Sequence, residues 1–237
     1  MRPLDPVGLA VCAVLALLLA AVAAGPLIWT VDPEHTQLAN KFAMPSADAP
    51  WGTDEFGRDL LSRLLHGGRL SLFGTLLVVV GCSGLGLLVG ITASLVGGWP
   101  DALLSRCVVG LLTLPALVVA LAIAGVLGKS FGHVLLALVM TEWPWYARLY
   151  RALFVSELHR PYVLAARALG ASSRQIALKH VLRNVAGPAL VLASTNLRAA
   201  ILSLTALSFL GLACNRRRRS GALWSTAGAC SFRPHRG

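Results

Sequence analysis

Charge is scarce in this chain. Only 13% of its 237 residues are charged, ten are acidic, and aromatics reach just 7%. So few charges cannot solvate the surface of a soluble domain, and 56% hydrophobic residues with a mean hydropathy of +0.71 point the same way. The long apolar stretches also lack the apolar–polar alternation of a barrel strand, which excludes a transmembrane β-barrel. In hydrocarbon the helix is then the one open-ended element that satisfies its own backbone, so the expected fold class is all-α, a polytopic membrane protein. The five cysteines form no CxxC or metal-ligand spacing: Cys12, Cys82 and Cys107 lie in or beside apolar segments, Cys214 and Cys230 near the end. They read as inert thiols. There is no G-x-x-x-x-G-K-[ST] phosphate loop, and His66, His133 and His180 are scattered rather than clustered with acids. Nucleotide hydrolysis, a metal site and a bound cofactor are therefore not expected on this chain.

What is present is a series of apolar runs. A bilayer span needs roughly 20 mostly apolar helical residues. Such runs occur at about 8–29, 71–97, 103–127, 132–153 and 185–212, giving five expected spans. The first would also suit a secretory signal peptide, but further spans downstream favour its retention as a first transmembrane helix in residues 1–30. Pro115, Pro144 and Pro188 fall in or at the ends of later spans. Kinks there are tolerated where neighbouring helices satisfy the freed backbone groups.

Orientation follows from the loops. The stretch 148–184 holds six arginines and Lys179 against the single acid Glu157, whereas 31–69 holds Lys41, Arg58, Arg63 and Arg69 against six acids. Basic loops stay inside. The expectation is therefore an external 31–70, a cytoplasmic 157–184 and a cytoplasmic N-terminus, and alternation across the spans agrees.

Within the basic loop Pro161 suits a first helical turn, Gly170 suits a helix end, and Ser172 with Gln175 three residues on makes a capping-box pattern. The spacing predicts two short amphipathic helices joined at Gly170, with Ile176, Ala177, His180 and Val181 on one face of the second. Small Ala165, Ala166 and Ala168 would let a partner approach closely. A hairpin lying on anionic lipid is an equally open reading of the same residues.

The run Ala165-Ala166-Arg167-Ala168-Leu169-Gly170-Ala171-Ser172, followed by Ile176 and by His180-Val181-Leu182-Arg183-Asn184, resembles the loop motif of bacterial ATP-binding-cassette importer permeases. It departs at Leu164, where that family often has Glu, and at Arg183, where Pro is frequent. A second run narrows the resemblance. Gly52-Thr53-Asp54-Glu55-Phe56-Gly57-Arg58-Asp59-Leu60-Leu61-Ser62-Arg63, continuing to Gly68-Arg69-Leu70-Ser71-Leu72, is similar to the signature before the second span of dipeptide, oligopeptide and nickel permeases, specifically the second permease of the pair. Read from the residues alone, Leu60, Leu61, Leu64 and Leu65 make an apolar stripe on an amphipathic helix at the outer surface, with Asp59 and Arg63 at i,i+4 spacing. A structural collar without substrate contact is the simpler role for it.

The resemblance implies a non-catalytic pore subunit in the bacterial inner membrane. It implies a second permease subunit as heterodimer partner, two cytoplasmic ATPases that use ATP, an external substrate-binding protein, and no nucleic acid. Ala165, Ala166, Arg167, Gly170, Ser172, Ile176 and His180 are then the expected ATPase-coupling residues. Two charges at membrane depth, Glu142 and Arg198, are candidates for lining the path or pairing with each other. For Glu142 a place in an aromatic belt with Trp143, Trp145 and Tyr146 is the plainer reading.

The competing class is a membrane anchor that transports nothing, its four consecutive arginines at 216–219 binding lipid or nucleic acid. The composition changes abruptly after Leu212: residues 213–237 carry six arginines and no acid. In the family a G-V-Q-P-P-T-P-E-W-G-A run follows, and codons read one base earlier can reproduce it. The expectation is a frameshifted or truncated permease whose sixth span is replaced by an aberrant basic tail, with weak or no transport.

Overall fold

The computed structural model describes residue 17 and residues 19–210. Among these, every regular element is helical: α1 (Leu19–Ile28), a single 3-10 turn at Leu38–Asn40, α2 (Leu60–Val96), α3 (Gly98–Leu112), α4 (Ala116–Leu127), α5 (Phe131–Leu158), α6 (Pro161–Ala168) and α7 (Ser173–Phe209). The rest of the first expected span and the whole basic tail lie outside the described residues. The chain forms two compact units, one up to Phe73 and one from Gly74.

Two helices, α2 and α7, are long and apolar enough by themselves to cross a membrane. The expected span 103–127 is not continuous. It breaks between α3 and α4, which meet at 85°. Pro115 supplies no N–H and disfavours helix at Leu114. Yet Pro144 and Pro188 sit inside unbroken helices. At the break α3 closes at Thr113, whose hydroxyl and N–H both turn back to the Gly110 carbonyl, at 2.7 and 3.3 Å.

The bent pair nevertheless carries the chain back along its neighbours, because of how they run. In the second unit α2 packs along α5 through glycines. A Cβ on Gly74 would meet Phe131, on Gly81 Val139, on Gly86 Tyr146 and on Gly90 Arg151. Contacts that advance together on both helices mean that α2 and α5 are parallel, so α3 and α4 between them return the chain to the starting side. The depth of α5 is thus fixed by α2, although its own sequence is too polar to qualify as a span by apolarity. α5 also packs on α3, α4 and α7. The core it organises includes Val78, Cys82, Ala120, Ala124, Leu138, Tyr150 and Leu204. The opposite faces are apolar and bare, as for Val126 (88% exposed), Leu190 and Leu202, which suits a hydrocarbon solvent.

Close helix approach at small residues is the usual means of association where lipid is as apolar as the side chains. Here it separates two neighbouring glycines. A Cβ on Gly86 would stand 2.5 Å from the Tyr146 Cβ and 2.8 Å from the Ala147 nitrogen, whereas Gly84 faces open space. Gly86→Leu is expected to force α2 off α5 and lower the melting temperature of the detergent-solubilised chain sharply, the overpacking cost being at least about 1–3 kcal/mol. Gly84→Leu should melt like the parent. Equal melting of the two variants, followed by tryptophan fluorescence, would refute this packing.

Candidate functional site

The basic loop 161–172 folds as a capped hairpin. Pro161 begins α6, where its missing N–H is no loss. At the other end Gly170 adopts φ +83°. Its N–H donates to the Arg167 carbonyl at 2.9 Å, and the Ala171 N–H donates to the Ala166 carbonyl at 3.0 Å. This double closure is a Schellman motif, which uses a left-handed residue to satisfy the last carbonyls. Ser172 then caps the next helix, its Oγ accepting the Gln175 N–H at 3.3 Å. Before the hairpin, the Tyr162 hydroxyl donates to Glu157 Oε2 at 2.9 Å and Arg160 pairs with Glu157 at 3.4 Å. Burial and the Glu157 carboxylate push the Tyr162 phenol above its ordinary value, against the opposing Asn184 contact.

The second helix departs from expectation. It is not short: from Ser173 it runs without a break to Phe209. Nor does His180 share the buried face. A π turn spans Ala177–Val181. A π turn places i and i+5 in line, so Ile176 and Val181 lie on one face, and the α-helical step of four brings in Val185. These three, with Ala177, pack against Phe154 and Val163 and are at most 1% exposed. The extra residue rotates His180 out to solvent. Of the expected coupling residues, Ala165, Arg167, Gly170, Ser172 and His180 are exposed and Ala166 is half-buried. Ile176 is buried and holds the hairpin in place rather than meeting a partner. What the residue pattern did not single out is the apolar part of the exposed surface, Leu164 at 59% and Leu169 at 88% exposure.

The signature run 52–63 builds a compact collar within the first unit. Asp54 is its centre. Its Oδ1 accepts the N–H groups of Phe56 and Arg58 at 2.8 and 2.9 Å, and its Oδ2 pairs with Arg58 at 2.9 Å and with Arg63. The expected Asp59–Arg63 pair does not form. Arg63 reaches Asp54 instead, because Asp59 is occupied as the cap of α2, accepting the Leu61 and Ser62 N–H groups at 3.2 and 3.0 Å. Asp59 also accepts the Trp29 indole N–H at 2.6 Å, a tie across 30 residues that no local pattern signals. Ser62 donates to the Val31 carbonyl, and Thr53 bridges Asn40 and Ala43. Gly57 (φ +71°) is obligatory, since a Cβ there would stand 1.8 Å from the Gln37 oxygen; Gly52 is also left-handed. Arg69 is exposed, beyond this network. The separate surface helix expected for 60–65 is in fact the first turns of α2. Burial pushes the Asp54 carboxyl upward, but the two backbone donors and the Arg58 charge outweigh it and hold the group below its ordinary 3.8.

At membrane depth, Glu142 and Arg198 do not pair. Glu142 lies beside Ser203 of α7, and Arg198 is exposed without an ion pair among the described residues. The geometry holds the two charges apart: α5 meets α7 in an antiparallel sense, which sets Glu142 level with Ser203, more than a turn beyond Arg198. No group of three or more potential metal ligands occurs among the described residues.

A long multi-spanning core with a basic, capped hairpin carrying exposed leucines is the architecture of a transport subunit, and comparison with known proteins decides the point. Residues 84–219 match the family described as the binding-protein-dependent transport system inner membrane component. The chain belongs to this family. The matched segment contains the hairpin and most of the second unit. Relatives include the dipeptide transport system permease protein DppC of Alkalihalophilus pseudofirmus, 35% identical over 187 residues, covering 79% of this chain and 62% of that protein. The probable D,D-dipeptide transport system permease protein DdpC of Escherichia coli K12 is 35% identical over 208 residues (88% and 70%). The nickel transport system permease protein NikC of the same strain is 34% identical over 181 residues (76% and 65%). The chain thus spans 62–70% of the length of these three relatives. This permease belongs to a family of membrane-embedded transport components, and the peptide and nickel resemblance of its signature runs is borne out at the level of the family.

Proposed function

We propose that this permease forms half of a two-subunit path through the inner membrane, importing small peptides or nickel at the expense of ATP hydrolysed elsewhere. The 161–184 segment is the docking element for a separate cytoplasmic ATPase, a second permease completes the path, and an external binding protein delivers the substrate. The chain itself binds no cofactor. The observation that carries this reading is the hairpin. Its backbone is closed by the Schellman hydrogen bonds and the Ser172 cap, its inner side is anchored on Phe154, and it presents Ala165, Ala168 and Leu169 outward. An exposed Leu on a rigid turn, two residues from the exposed Arg167, suits a protein groove better than water. The relatives named for dipeptides and nickel support the substrate classes. Glu142, half-buried at membrane depth, lines the path or holds α5 to α7. Co-expression with its ATPase tests the reading: the permease should retain that ATPase through purification and release it when Leu169 is changed to Asp. Retention at parental levels by the variant would count against the hairpin as the docking element.

The same proposal fixes an orientation, with 31–69 outside and the hairpin inside. Ser46 and Ser173 are both exposed. In a background freed of native cysteines, Ser46→Cys should react with an impermeant thiol reagent in intact cells, and Ser173→Cys only after the membrane is opened. The reverse pattern would invert the topology.

A further inference from the structure

Near the C-terminal end of α5 a cleft of about 160 Å³ opens between α2, α3 and α5. Its walls are small or apolar, Gly90 and Ala93 from α2, Val108 and Val109 from α3 and Ala147 from α5, while Ser105, Arg148 and Arg151 supply the polar edge. The two arginines differ. Arg151 is committed: its Nε and Nη2 grip the two oxygens of Asp101 at 2.6 and 2.5 Å, a bidentate pair that joins α3 to α5 and neutralises both. Arg148 lies on the same helix one turn earlier, is exposed, and makes no ion pair among the described residues. Arg106, the neighbour of Ser105, is likewise exposed and without an ion pair among them. This end of the helices therefore carries excess positive charge beside an apolar slot.

We propose that this cleft binds one anionic phospholipid, with its phosphate on Arg148 and part of an acyl chain in the slot. Charge complementarity selects the occupant. A guanidinium without a carboxylate partner offers the fork of donors that matches a phosphate. The slot below it offers nothing to a hydrated solute but does accept methylenes. Basic pockets between transmembrane helices on the cytoplasmic side are recurrent sites for acidic headgroups, and that leaflet is the anionic one. In the orientation proposed above, the C-terminal end of α5 reaches that leaflet. The site asks nothing of the transport cycle, and it stands or falls separately from the coupling role of the hairpin.

The full-length chain in detergent, mixed with equal amounts of phosphatidylglycerol and phosphatidylcholine and examined by native mass spectrometry, provides the test. Preferential retention of one phosphatidylglycerol is expected. Arg148→Gln should weaken that retention about fivefold, the usual contribution of one basic residue at a membrane surface. Arg148→Lys should restore most of it, and Val109→Trp, which fills the slot from its exposed rim, should lower it without altering charge. Arg148 is at the surface, so an unchanged melting temperature is expected for both of its variants. Equal retention of the two lipids would overturn the proposal, as would a glutamine variant that binds like the parent or a loss that lysine fails to reverse. Displacement of the lipid by millimolar inorganic phosphate would also overturn it, by making the cleft a site for free anions.

Discussion

Gly170→Val abolishes uptake of labelled dipeptide or nickel while leaving the chain in the membrane at its normal level. The prediction combines two properties of one residue. Gly170 sits at φ +83°, where a β-branched side chain is strained by about 1–2 kcal/mol, yet a Cβ there meets nothing within 4 Å. The substitution therefore attacks the turn without attacking the core. The cheapest relief is to abandon the left-handed conformation, which breaks the hydrogen bonds from Gly170 to Arg167 and from Ala171 to Ala166 and lets α6 swing relative to α7. The membrane helices do not depend on those bonds. Leu169→Asp is the companion change, since it keeps the turn and alters only the exposed surface. Both variants should lose uptake by more than about tenfold, the factor that 1.4 kcal/mol of lost docking produces. A charge at half-buried Ala166 would also stop uptake, but by loosening the hairpin. Full uptake by Gly170→Val and Leu169→Asp, at equal amounts in the membrane, would remove the coupling role.

Asp54→Ala should have the largest effect on stability. Asp54 and Arg58 are 10% and 7% exposed at the side chain, and Asp54 also receives two backbone N–H groups and Arg63. Removing one partner of a buried pair strands the other. The cost is about 3 kcal/mol, the lower end for such pairs because the collar is near the surface. Trypsin should then cut at Arg58 and Arg63 in the variant and not in the parent. Acid should have a related effect on the parent. The Asp54 carboxyl is held below 3.8 in the folded collar, so its contribution is fully present above that value and is lost as pH falls through the lower, folded one. Trypsin does not work in strong acid. The acid limb is therefore better read with pepsin, or from Trp29, whose indole is tied to the same collar through Asp59. A variant as protease-resistant as the parent at neutral pH would show that Asp54 does not hold the collar.

Hydropathy made the helical class and most helix positions legible, because continuous apolar runs have few other solutions in lipid. Capping chemistry was equally readable: Pro161, Gly170 and the Ser172–Gln175 pair lie where the residue types said they would. What could not be read was anything that depends on a backbone exception or on a distant partner. The π turn at Ala177–Val181 carries no residue signature, so a regular helical wheel put His180 on the wrong face. The end of α3 at Thr113 could not be read from Pro115 either, since Pro144 and Pro188 show that proline alone does not end a helix. Asp59 and Arg63 are correctly spaced to pair, but helix capping and Trp29 claim the aspartate, leaving Arg63 to Asp54. Glu142 comes to lie beside Ser203 because helix pairing, which no local pattern shows, decides which side chains share a level.

The single helix from Ser173 to Phe209 has a mechanical consequence. Its hydrogen-bond ladder is loosened at two places, the π turn and Pro188, which has no N–H to offer the Asn184 carbonyl. Beyond Pro188 the remaining 189–209 segment is an uninterrupted rod about 30 Å long. A tilt of only about 10° at the proline would sweep the far tip by about 5 Å, one helical pitch. Under the coupling role proposed above, a push on the hairpin would be geared up along this helix, with the proline as fulcrum and the segment beyond it as the long arm.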